Sequence, residues 1–108
     1  MDIDAGSLTF HLKDQNLFKQ QCFINGEWID SDSGDTFDVY NPSDLSLVGT
    51  MPNVSKNETI RAIEAANSSW NDWKKLTGKD RSIIIRRWHE LILENIDDLA
   101  LIMTLENG

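Results

Sequence analysis

Two rhythms of apolar and polar residues divide this chain, and the change comes near Pro52. Before it the pattern is short and alternating. Leu8, Phe10 and Leu12 alternate with polar neighbours, which predicts a strand-like or mobile arm over residues 1–13. Asp14 is placed to cap one or two helical turns through Leu17, Phe18 and Gln20. Asn25-Gly26 then stands between Cys22-Phe23-Ile24 and Glu27-Trp28-Ile29. Both central positions of a type I′ turn need positive φ, which Asn and Gly tolerate best, so a tight β-hairpin is predicted. After a polar loop, Thr36 to Tyr40 is β-branched or aromatic and alternating, as a strand requires. Asn41-Pro42-Ser43-Asp44 turns the chain, and Leu45 to Met51 returns it.

Beyond Pro52 the period lengthens to that of a helix. Ser55-Lys56-Asn57-Glu58 has the spacing of a capping box, and Ile60, Ile63, Ala66, Trp70 and Trp73 follow as one stripe. Thr77-Gly78-Lys79-Asp80 opens a second helix with Ile84, Trp88, Leu91 and Ile92 on one side. Ile83, Ile85 and Leu93 widen its apolar coverage, which predicts burial on more than one side. Asp97 and Asp98 suit the positive end of a third helix, lined by Leu99, Ile102, Met103 and Leu105 and capped by Asn107-Gly108. The expected fold class is an α+β fragment, two β-hairpins and then three helices. Two hairpins cover only part of the apolar surface on those helices, so a further packing partner is expected.

Composition narrows the function classes. The chain has 108 residues, 40% of them hydrophobic, and a net charge of -8. Residues 1–54 carry nine acidic and two basic side chains, residues 55–108 nine and eight. That balance argues against nucleic-acid binding. Lys74, Lys75, Lys79, Arg81, Arg86 and Arg87 read as a solvated helical face beside acids. No apolar run is long enough to span a membrane, and the Met-Asp-Ile-Asp start does not look like a signal peptide. A single cysteine fits a reducing compartment, so the expected location is cytoplasmic.

Candidate chemistry is sparse. Cys22 has no adjacent base or cation to favour a thiolate and reads as a packing residue. His11 and His89 lack ligand spacing, and His89 reads as a surface or boundary residue. Trp28, Trp70, Trp73 and Trp88 are expected to pack in a core. No phosphate loop, dinucleotide fingerprint or catalytic triad is present.

Phe23-Ile24-Asn25-Gly26-Glu27-Trp28, Tyr40-Asn41-Pro42 and Thr104-Leu105-Glu106-Asn107-Gly108, in that order, resemble the N-terminal landmarks of NAD(P)-dependent aldehyde dehydrogenases. Leu12 to Gln21, Ala65-Ala66-Asn67 and Arg81 to Trp88 narrow the resemblance to bacterial succinate-semialdehyde dehydrogenases of 4-aminobutyrate degradation. The resemblance covers the chain from about residue 12 onward and implies that residues 14–108 are the N-terminal part of the cofactor-binding domain. It implies helices packed on the flank of a parallel sheet supplied by later residues.

The implied reaction is oxidation of succinate semialdehyde to succinate, with hydride passed to NADP or NAD. The family's nucleophilic cysteine, its glutamate base and its dinucleotide-binding strands would all lie after Gly108. No catalytic or cofactor-binding residue is therefore assigned here, and no cofactor is expected on this chain alone. The one site that carries over is a structural monovalent cation, held by backbone carbonyls of Val39 and Tyr40 and by Glu106. The implied partner is the remainder of a dehydrogenase, or a full-length relative, in a family of homodimers and homotetramers. The leading expectation is a segment inert alone. The alternatives are a non-catalytic module that docks on a full-length relative, or a decayed gene remnant.

Overall fold

A computed structural model describes residues 11–108. Most of the segment expected as an arm, including Leu8 and Phe10, lies outside the described residues. Leu12 lies within them and is buried. Asp14 caps as expected, its carboxylate accepting the Asn16 amide at 3.0 Å, but it starts only the 3₁₀ turn Gln15–Leu17. The next residues leave the helix to run over a strand, where the Gln20 side chain accepts the Thr50 amide at 2.9 Å.

Both hairpins form. β1 (Cys22–Ile24) and β2 (Glu27–Ile29) pair antiparallel through Cys22↔Ile29, Phe23↔Trp28 and Ile24↔Glu27. Asn25 and Gly26 take φ of 52° and 81°, the two left-handed positions that the turn requires. Across the strands the Phe23 and Trp28 rings sit 5.1 Å apart, with Lys19 Nζ 5.4 Å from the Trp28 ring centroid. β3 (Thr36–Tyr40) pairs antiparallel with β4 (Leu47–Pro52) as a separate sheet, interrupted by a register shift between Val39 and Tyr40.

Three helices follow: α1 (Lys56–Trp73), α2 (Gly78–Glu94) and α3 (Ile96–Asn107). The capping box expected at Ser55 and Glu58 is formed, and a second one joins Thr77 to Asp80. Gly108, at φ 76°, ends α3 by donating its amide to the Thr104 carbonyl at 2.9 Å.

The core lies where the N-terminal segment, β3–β4 and α3 meet. Leu12, Val48 and Leu105 are its buried centre, with Phe18, Val39, Leu101 and Ile102 packed around them. Gly49 permits that approach, because a Cβ there would stand 2.8 Å from both Phe18 Cζ and Gln20 Oε1. Two carboxylates tie distant segments together. Asp98, at the start of α3, accepts the Lys13 and Asp14 amides, each at 2.9 Å. Glu58, only 1% exposed, accepts the Ser55 amide at 3.0 Å and the Asp32 amide at 3.3 Å, fixing the loop after β2 onto α1.

Two packing expectations are corrected. No residue of α2 is buried, although its apolar pattern predicts burial on more than one side. Trp28, Trp70 and Trp88 are exposed, Trp88 by 66%, and Trp73 is only half-buried. The stripes are present, but the two small hairpins leave them largely exposed. Ile63, Trp70, Ile83, Trp88, Leu93 and Met103 are all more than half exposed, so the helices keep the surplus of apolar face that the sequence predicts.

Candidate functional site

The three residues implied as a cation site sit at the corner between β3 and the end of α3. Val39 and Tyr40 close β3 at the register shift, where the ladder is interrupted. Asn41, buried, then builds a rigid turn. Its side chain accepts the Ser43 amide at 2.9 Å, its carbonyl accepts the Leu45 amide at 2.8 Å, and its own amide donates to Ser46. Leu45 is driven to φ 63° in closing the loop. The Ser46 hydroxyl and amide both donate to Asp44, which holds that carboxyl below its ordinary range. The end of α3 lies against this turn: a Cβ on Gly108 would stand 3.2 Å from both Pro42 Cδ and the Ser43 amide nitrogen.

Val39 and Glu106 line one open cleft of about 570 Å³, together with Lys19, Trp28, Phe37 and Met51. Tyr40 does not line it; its hydroxyl donates to Asp38 at 2.9 Å, and that carboxylate raises the phenol pKa above its ordinary value. A hard cation takes oxygen ligands. Glu106 brings a carboxylate to the cleft and Val39 borders it, while Lys19 on the same cleft carries a charge that opposes a cation. The donor set fits in part. Among the described residues no three His, Cys, Asp or Glu side chains gather as a metal cluster.

Cys22 is half-buried in β1, and His89 is exposed on α2 beside Arg81, Arg86 and Trp73 in an open cleft. Arg87 pairs with Glu94 at 3.1 Å and Glu90 at 3.5 Å, as a solvated face should. No helix among the described residues is long and apolar enough to cross a membrane. Between α2 and α3 lies an apolar trough of about 950 Å³, lined by Trp88, Leu91, Ile92, Leu99 and Met103.

Comparison with known proteins decides what this architecture belongs to. The model of the aldehyde dehydrogenase family matches residues 28–108. The chain belongs to the aldehyde dehydrogenase family. A glutarate-semialdehyde dehydrogenase from Pseudomonas putida is 53% identical over 97 residues, covering 90% of this chain and 20% of that protein. The NADP(+) succinate-semialdehyde dehydrogenase of Escherichia coli is 47% identical with the same coverage. The crystal structure of a succinate-semialdehyde dehydrogenase from Burkholderia pseudomallei superposes with a TM-score of 0.85 at 45% identity, over 88% of this chain and 20% of that one. The two hairpins and three helices are thus part of the aldehyde dehydrogenase fold. The chain spans about a fifth of the length of the relatives it matches.

The resemblance read from the hairpin, the Asn-Pro turn and the final helix therefore holds. What sequence reasoning missed were the two buried carboxylates. Glu58 was legible as a cap, but its second partner, Asp32, lies on another loop. Asp98 suits the positive end of a helix dipole by its position, while its bonds run to backbone amides at the opposite end of the chain.

Proposed function

We propose that these residues form the N-terminal portion of a cytoplasmic, NADP- or NAD-dependent dehydrogenase that oxidises succinate semialdehyde to succinate. The observation that carries this reading is the 46–53% identity, over 90% of the chain, to enzymes named for four- and five-carbon semialdehydes that end in a carboxylate. On this reading the family's nucleophilic cysteine and glutamate base map to none of these residues. A bound NADP or NAD would supply the hydride acceptor. These residues contribute scaffold: Glu58 and Asp98 lock loops onto helices, and α1 to α3 present apolar faces to the rest of the subunit. On the same reading Val39, Tyr40 and Glu106 hold a monovalent cation that braces the β3–α3 corner.

The test is a chimera in which residues 12–108 replace the matching segment of the E. coli relative. NADP-linked oxidation of succinate semialdehyde is expected to persist. A chimera that folds, by circular dichroism and gel filtration, yet turns over no semialdehyde would overturn the proposal. The isolated 108-residue chain is expected to produce no NAD(P)H with either nucleotide. For the cation, potassium is expected to raise the melting temperature of the chimera but not that of its Glu106→Gln variant, and equal shifts would exclude the site.

A further inference from the structure

The chain contains two Asn-Gly pairs, Asn25-Gly26 and Asn107-Gly108, and the fold treats them in opposite ways. An asparagine followed by glycine is open to self-modification because no side chain shields the following amide nitrogen. Gly26 sits at the exposed tip of the β1–β2 hairpin, with no heavy atom within 4 Å of the position a Cβ would take. Among the described residues its amide makes no hydrogen bond, and neither does the Asn25 side chain. Gly108 is held differently: its amide donates to Thr104 at 2.9 Å, Asn107 is in helical conformation, and the glycine packs against Pro42 and Ser43.

We propose that Asn25 is a deamidation site selected by the fold over Asn107. The Gly26 nitrogen attacks Cγ of Asn25 and forms the C–N bond of a succinimide. The C–N bond of the side-chain amide breaks, and ammonia leaves with the proton that the Gly26 amide gives up. Water then adds to either ring carbonyl and opens it to aspartate or isoaspartate. No oxidant or cofactor is needed.

Attack requires Asn25 to leave its left-handed conformation. The hairpin allows this because it is an isolated pair of three-residue strands, a size that is marginal alone in water. Each product adds one negative charge to the net -8. The isoaspartyl form also inserts a backbone methylene into a two-residue loop whose twist must match its strands. The Ile24↔Glu27 pairing and the Phe23–Trp28 ring contact are then lost.

The experiment is timed incubation of the purified chain in neutral buffer, followed by peptide mass spectrometry with fragmentation that resolves isoaspartate at positions 25 and 107. In native buffer the product at Asn25 is expected to exceed that at Asn107 several-fold. In concentrated urea, where the fold holds neither glycine amide, the ratio of product at Asn25 to product at Asn107 is expected to fall. Native accumulation at Asn107 equal to or above that at Asn25 overturns the proposal. So does a site ratio that is the same in urea as in native buffer, because the preference would then owe nothing to the fold.

Discussion

Replacing Glu58 with alanine tests whether one buried carboxylate joins two segments rather than merely capping a helix. Its oxygens accept the Ser55 amide at 3.0 Å, the Ser55 hydroxyl at 3.1 Å and the Asp32 amide at 3.3 Å. Loss of the capping contact costs about 1 kcal/mol. The Asp32 amide, left without its acceptor in a part-buried position, adds about 2 kcal/mol. A total of ~3 kcal/mol corresponds to a fall of roughly 1.5 M in the urea midpoint for a domain of this size. Thr77→Ala is the internal control. It removes the same kind of box from an exposed position, where Thr77 Oγ1 and Asp80 bond only each other's local groups, and costs about 1 kcal/mol. The assay is urea unfolding followed by circular dichroism, with amide exchange at Asp32 as the local readout. A Glu58→Ala midpoint no lower than that of Thr77→Ala, with unchanged exchange at Asp32, would refute the bridging role.

Three further outcomes are expected. The amides of Asp14 and then Lys13 hold the Asp98 carboxyl below its ordinary 3.8; its stabilising contribution is therefore complete above that value and lost as pH falls through the lower folded value. Acid titration by circular dichroism should show a low-pH loss that Asp98→Asn lacks. Gly49→Ala should destabilise by roughly 1–3 kcal/mol, because the new methyl meets Phe18 and Gln20 at 2.8 Å; an unchanged urea midpoint would contradict the close approach. The 108-residue chain should bind a hydrophobic dye and self-associate through α2, and Ile84→Glu with Trp88→Glu should reduce both effects in sedimentation and fluorescence.

Local chemistry was enough to place every element from the first hairpin onward. Asn25-Gly26 admits few turns other than a type I′ turn, Ser55 with Glu58 marks a helix start, and Gly108 marks a helix end; each works within about four residues. The ordered landmarks likewise made the family legible, because they are short and their order does not depend on folding. Burial was not legible. A stripe such as Ile84, Trp88, Leu91 and Ile92 specifies an apolar face, but whether it is covered depends on what the topology brings against it. Here the core gathered instead around Leu12, Val48 and Leu105, residues from three separate parts of the chain. The same holds for the buried carboxylates. A sequence can show that Glu58 and Asp98 suit helix starts, but only the tertiary structure sets Asp32 beside one and Asp14 beside the other. Those partners lie 26 and 84 residues away, and local propensity carries no information over that distance.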